Sequence, residues 1–251
     1  MVVLEKSVGH RVEREKDGLW RIVFHLPTST NCWVLEDTDE LTLVDAGCVW
    51  NSGTILDTIR SLEKATAKPL RRIALTHAHP DHAGAAAELA RETGAAVYAH
   101  ELEIPYLNGS SSLGDISGNT LSHAFHRTAH SLGMLNPPVV EGAQLVRDAD
   151  QVGSLRVIHT PGHTPGSSSF WSEKHRALFI GDNASNRFNL LSINMSIFTL
   201  AWEQLMESFE KYQNYDARLI LPGHGRARYS EHASADLLRL ARNYQKLMRA
   251  F

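Results

Sequence analysis

The chain is predicted to be an α/β protein, a four-layer αββα sandwich. Three observations predict it. Strand-length runs cluster in both halves of the sequence, each half closes in strand–helix alternation, and the first helix repeats Ile55, Ile59 and Leu62 at helical spacing. Two sheets packed together, with helices outside, satisfy all three.

In order, residues 19–25, 31–36 and 41–45 read as short strands separated by turn residues. A helix follows over about 53–64. RRIALTH (71–77) reads as a buried strand, and HAGAAAELARETG (82–94) as an Ala-rich helix closed by Gly94. AAVYAH (95–100) is a further strand, with a short helix over 101–107. From 108 to about 139 the pattern fades into Gly, Ser, Asn and scattered His, a length that marks a functional or cleft-capping insert within one domain. Strands resume at 155–160, 168–172 and 177–181. A helix over about 202–212, the strand RLILPGH (218–224) and a helix over about 232–248 complete the chain.

Composition narrows the function. The 251 residues are 43% hydrophobic and 21% charged, enough to bury a core without disulfides. The net charge of −3 and the lack of a Lys/Arg block argue against nucleic acid as a partner. Cys32 and Cys48 form no CxxC pair and read as reduced, half-buried thiols. The N-terminal stretch MVVLEKSVGHRVEREKDG turns charged too soon for a signal peptide. No run reaches the roughly 18 apolar residues of a spanning helix, so no membrane is expected and the location is read as cytoplasmic. The 14 histidines, several beside Gly, Pro or Asp, direct attention to a metal site.

THAHPDH (76–82) carries the strongest chemistry. His77 and His79 lie two apart at a predicted strand end, so extended backbone projects both to one side. Pro80 turns the chain, and Asp81 and His82 arrive at the mouth of the next helix. Imidazole with carboxylate suits Zn²⁺. A His-rich surface turn is the competing reading, but metal-site spacing this dense is seldom accidental. VIHTPGHTPGS (157–167), ALFIGDN (177–183) and LILPGHG (219–225) each end a strand and offer His163, Asp182 and His224 beside a glycine that permits a sharp turn.

HxHxDH followed by a His, an Asp and a His at successive strand ends resembles the metallo-β-lactamase superfamily. The likeness runs from about Asn31 to Gly225 and includes VDAG (44–47), with Asp45 at the family's early Asp position. It implies two metal ions, zinc or else manganese or iron. His77, His79 and His163 would hold the first, Asp81, His82 and His224 the second, with Asp182 bridging and Asp81 also handling a proton. Asp45 would support the ligand loops; a solvated strand-end Asp is its plainer reading.

The same resemblance orders the activities. A carboxylate at Asp182 speaks against a true β-lactamase, and the single helix after His224 leaves no glutathione-binding domain. Large added modules and a basic surface, as in RNA-processing relatives, are not seen. Lactonases of acyl-homoserine lactones match in length and ligand set, but where they commonly place a Tyr this chain has Ser185; Tyr106 is a candidate substitute. The expectation is a hydrolase of an ester, lactone or thioester. The alternatives are a mononuclear iron persulfide dioxygenase, a phosphodiesterase or β-lactamase, and a degenerate binding module, which should have lost a ligand.

The insert and FNLLSINMSIF (188–198) either wall the cleft for a small-molecule substrate with an apolar group or pack at a core or homodimer interface. His123, His126 and His130 share a helical spacing; a solvated helix of the insert is preferred over a gate or a further ion site. His10, His25, His100, His159, His175 and His232 read as ordinary strand-edge or surface residues, and Cys48 as a small half-buried residue in preference to one at the metal cleft.

Overall fold

The charged N-terminal stretch, given no element by sequence reading, forms two strands, β1 (Val2–Lys6) and β2 (His10–Lys16), in this computed structural model. The structure describes residues 2–6, 9–25, 29–112, 128, 139–193 and 199–249. Charge hid β2 because its buried face is itself ionic. Glu13 is the cross-strand partner of Arg21 on β3 (Leu19–Phe24), and both side chains are buried and paired.

β4 (Thr30–Glu36), β5 (Leu41–Val44), β6 (Leu70–Ala74), β7 (Ala96–His100) and β8 (Gln144–Val146) extend these strands into an eight-stranded sheet in chain order. Pairing is antiparallel up to β5 and parallel from β5 to β8. The parallel crossovers require helices on the outer face. They are α1 (Ser52–Thr66), α2 (Pro80–Ala83) and α3 (Ala86–Thr93), with α4 (Ile104–Leu107) following β7. The predicted helix over 82–94 is thus broken. At Gly84 the backbone packs so closely that a Cβ would lie 2.2 Å from the Pro80 carbonyl oxygen and 2.6 Å from the Val49 nitrogen.

The second sheet contains β9 (Gln151–Val152), β10 (Leu155–His159), β11 (Ser168–Ser172) and β12 (Ala177–Gly181). The hairpin β13 (Ser185–Arg187) and β14 (Leu190–Ser192) comes next, turning at Phe188 and Asn189, both with positive φ. After α5 (Trp202–Lys211), β15 (Leu219–Pro222) pairs parallel to β12, β16 (Arg228–Tyr229) closes the edge, and α6 (Ala233–Arg249) covers the outside.

Three apolar layers join the four structural ones. Alternate residues of β4 divide between two of them: Cys32 and Val34 face the α1/α3 layer, while Trp33 and Leu35 face the second sheet. Phe170, Phe179 and Leu221 meet Trp33 from that sheet, and Leu178, Ile180, Leu205, Phe209 and Leu237 form the third layer under α5 and α6. The αββα sandwich is therefore the observed architecture. Among the described residues no helix is long and apolar enough to cross a membrane. His123, His126 and His130 lie outside the described residues, as do positions 113–127 and 129–138 of the insert and 194–198 of the apolar run.

Phe179 has no exposed surface and meets the Trp33 ring edge-on at 6.4 Å between centroids. Phe179→Ala should destabilise the metal-free protein by about 3–5 kcal/mol. Urea unfolding checks this, and a loss below about 1 kcal/mol would contradict the placement of Phe179 in the middle layer.

Candidate metal centre

Strand β6 stops at Ala74, so His77 and His79 stand on a loop and not on the strand end that the sequence suggested. What makes the two rings converge is hydrogen bonding to the loop. Asp45 follows β5, next to β6 in the sheet, and its backbone takes φ 62°. Its Oδ1 accepts the Thr76 N–H at 2.8 Å, and the Thr76 hydroxyl donates to Oδ2 at 2.9 Å. Asp45 is buried and also accepts from His82 Nδ1 at 2.9 Å. Its supporting role holds, and the solvated alternative falls away.

These contacts set the imidazole tautomers. Because the Thr76 hydroxyl donates to Asp45, it accepts from His77 Nδ1 at 3.0 Å, leaving the His77 Nε2 lone pair inward. His82 Nδ1 donates to Asp45, which likewise turns its Nε2 lone pair inward. His224 Nδ1 donates to the Ser29 carbonyl at 2.9 Å, with the same result. Acceptors behind the rings thus aim three lone pairs at one space.

Around that space the side chains form two linked groups. His79 Nδ1 lies 2.9 Å from His77 Nε2 and 3.0 Å from His163 Nε2. Buried His82 Nε2 faces Asp182 Oδ1 at 3.4 Å and Asp81 Oδ2 at 3.8 Å. His224 Nε2 is 3.2 Å from Asp182 Oδ2 and 3.4 Å from Asp81 Oδ2. Asp182 stands between the groups, its Oδ2 also 3.7 Å from His163 Nε2. All seven sequence-predicted residues therefore come together, from the segment that runs from the His77 loop into α2 and from three further loops. In the sets His77–His79–His163, His77–His82–Asp182 and Asp81–His82–His224, one ligand atom per residue lies within 4.8 Å of the others.

Electrostatics divide the groups. Burial, then the neighbouring histidines, push His77 well below the usual imidazole range; burial, then His79, does the same to His163. Burial also opposes the charged form at His82 and His224, but the carboxylates of Asp182 and Asp81 outweigh it and push both up. For Asp182 burial is again the largest influence, and the imidazoles of His224 and His82 overcome it, holding the carboxyl well below its usual range.

The fit to a cation follows from the donors. His77 Nε2 and His163 Nε2 each lie about 3 Å from His79 Nδ1 and cannot both be satisfied by a proton there, and tetrahedral ligands at 2.0–2.1 Å from zinc stand about 3.3 Å apart. Carboxylates converging beside a buried imidazole nitrogen likewise call for positive charge.

Residues absent from the sequence reading hold the loops. Asn31 Nδ2 donates to the Pro222 and Gly225 carbonyls at 2.9 and 2.8 Å, Trp33 Nε1 to Pro222 at 3.2 Å, and buried Arg21 Nη1 to Gly225 at 2.8 Å. The turn carrying His224 is thus pinned from β3 and β4. Buried Glu103 accepts from the His77–His79 and His163 loops. None has a local sequence signal, because each acts on a segment distant in the chain. Gly223 leaves no side chain where a Cβ would meet Asp182 Oδ1 and His82 Cε1, both at 2.5 Å.

Other expectations divide. Ser185 is buried at the hairpin base, its hydroxyl 3.4 Å from that of Ser192. Half-buried Tyr106 packs on the first apolar layer. Leu191 and Ile193 pack into the third layer, whereas Phe188 and Leu190 are exposed at the hairpin tip. Cys32 and Cys48 are both buried, not half-buried. Burial, then Asp81, pushes the Cys48 thiol to about 11. His100 and His175, read as ordinary edge or surface positions, are buried, and burial lowers each to about 4.

A family model described as the metallo-beta-lactamase superfamily matches residues 25–224. Uncharacterized protein YobT of Bacillus subtilis is 32% identical over 65% of this chain, which spans 66% of that relative. The acyl-coenzyme A thioesterase MBLAC2 of Gallus gallus is 25% identical over 85% of this chain and 77% of its own. A solved metallo-beta-lactamase structure from Cronobacter sakazakii, distinguished by a HARLDQ motif, aligns with a TM-score of 0.68. It is 22% identical and covers 95% of this chain and 94% of its own, a likeness of fold.

Asp45→Asn keeps the side chain's shape but replaces one accepting oxygen by an amide N–H₂, so the donors it now holds, the Thr76 N–H, the Thr76 hydroxyl and His82 Nδ1, cannot all keep an acceptor. Divalent-metal affinity, measured by competition with a chelating dye, should fall by about 10–100-fold. Unchanged affinity would show that Asp45 does not aim the rings.

Proposed function

The chain belongs to the metallo-beta-lactamase superfamily, and from that premise and the converged His/Asp cluster we propose that it is a dinuclear metal hydrolase of esters, lactones or thioesters. The observation that carries the reading is the inward convergence of imidazole and carboxylate atoms, with an acceptor behind the rings of His77, His82 and His224. His77, His79 and His163 would hold one divalent ion, Asp81, His82 and His224 the other, with Asp182 shared. Zinc suits the donors, and manganese and iron accept the same set. Such a pair of ions supplies Lewis acidity, making water a nucleophile near neutral pH and drawing charge from a substrate carbonyl.

The chain's own residues divide the remaining work. Asp81 keeps about a quarter of its side chain exposed, where its neighbours His77, His82 and His163 are buried, and Thr30 Oγ1 lies 3.4 Å from its Oδ2. That openness suits it to pass a proton between the site and solvent. An apolar substituent on the substrate is supported by exposed Phe188 and Leu190 on the hairpin that follows Asp182, and by exposed Trp50 after the Asp45 loop. The similarity to a thioesterase adds a carbonyl substrate class. A small-molecule substrate, a cytoplasmic setting and a homodimer complete the proposal.

Purified protein should contain two ions per chain by elemental analysis, and His77→Ala, His163→Ala or His224→Ala should lose metal and turnover together. His126→Ala should keep its metal; loss equal to that of His77→Ala would move the ion site into the insert.

Against a panel of lactones, thioesters, phosphodiesters and β-lactams, the metal-replete protein should prefer the lactones or thioesters. kcat/KM should rise with acyl length by up to about 0.8 kcal/mol per buried methylene. Ready cleavage of phosphodiesters with no action on any lactone or thioester would overturn the substrate assignment. One iron per chain with oxygen uptake on a persulfide would overturn hydrolysis itself.

A further inference from the structure

We infer that Glu103 is a positioning residue that sets the distance between the His77–His79 loop and the His163 loop, an inference that rests on the metal-site reading above. The first loop leaves β6 of one sheet, and the second joins β10 to β11 of the other. The three imidazoles of this group therefore span the gap between sheets. Something must fix that gap for nitrogens to meet at 2.9–3.0 Å.

Glu103 stands where it can do so. It is fully buried in the turn between β7 and α4. Its Oε2 accepts the N–H of Ala78, the residue between His77 and His79, at 2.7 Å. Its Oε1 accepts the Gly166 N–H and the hydroxyl of Thr164, next to His163, each at 2.7 Å. Ser167 Oγ, 2.7 Å from the Thr164 hydroxyl, accepts the Thr164 N–H at 2.9 Å and closes the second loop on itself. Backbone N–H groups only donate, and one meets each carboxylate oxygen. The side chain is thus an acceptor on both sides, and among the described residues no salt bridge claims it. One further tie, Ser168 N–H to the Thr76 carbonyl at 2.8 Å, crosses the same gap. Among the described residues, Glu103 alone grips the segment between the two first histidines and the segment after the third.

Glu103→Gln tests this with little change in volume. An amide in place of the carboxylate sets N–H₂ against at least one donor, so one loop is released. Titration of the metal-free chain with Co²⁺ should show one of the two ions binding about 10–100-fold more weakly, and the visible absorption of the loaded protein should change shape. A purely structural loss is separated by Leu237→Ala, on α6 in the third apolar layer and outside both loops. It should lower the melting temperature yet keep both affinities and the spectrum. The inference fails if Glu103→Gln binds both ions as tightly as the unaltered chain with the same spectrum. It fails equally if Leu237→Ala weakens Co²⁺ binding to the same extent, since lost stability would then explain both. If the unaltered chain takes up no Co²⁺, the metal-site reading itself fails and the positioning role goes with it. Uptake by that chain with no effect of Glu103→Gln removes only the latter.

Discussion

The site depends on one constraint: for an inward imidazole nitrogen to present a lone pair, the outer nitrogen gives its proton to an acceptor, as the contacts of His77, His82 and His224 allow. Asp45 meets this for two rings at once, directly for His82 and through Thr76 for His77. It reaches both because β5 and β6 run parallel with Val44 beside Ala74, and its own N–H is tied to the Ala74 carbonyl. A register slip of one residue would move every side chain past Ala74 to the other face. The buried apolar residues of β5 and β6 forbid that slip. Packing in the first layer and orientation at the metal centre are therefore one constraint.

The His224 turn shows the same coupling across sheets. Its carbonyls are spent on Asn31, Trp33 and Arg21, so strands of the first sheet hold a loop of the second. Arg21 can sit there, inside the sandwich, only because Glu13 faces it across the ladder and Glu15 lies 3.5 Å away. A lone guanidinium would be costly to bury. The ionic face of β2 is thus part of the support for a ligand many residues away. It is also the reason that HRVEREK did not read as a buried strand.

The clustering of the candidate ligands and the fold were legible in the sequence for different reasons. THAHPDH concentrates four donors in seven residues, and the strand-end turns at His163, Asp182 and His224 repeat one local pattern. Strands β3 to β7 show in apolar runs of five to seven residues. Glu103, Arg21 and Asn31 were illegible because their partners lie far along the chain, and a buried carboxylate looks like an exposed one until its donors are known. The helix over 82–94 was misread as continuous for a similar reason. The interruption at Gly84 comes from backbone packed against it, contact that helical periodicity does not record.

The two halves of the centre are chemically unlike, and the fold makes them so. Burial and neighbouring imidazoles push His77 and His163 well below the usual imidazole range, and with His79 they form an all-nitrogen group without a carboxylate of its own. The other group has Asp81 as a member and Asp182 against it, and those carboxylates push His82 and His224 up despite burial. Oxygen donors suit harder cations and nitrogen donors softer ones, so under the proposed dinuclear reading two ions of one element would not be held equally. Asp182 moderates the difference by lying between the groups, with Oδ1 toward His82 and Oδ2 toward His163 and His224. Gly223 keeps that middle position open, because any side chain there would displace the carboxylate that joins the two halves.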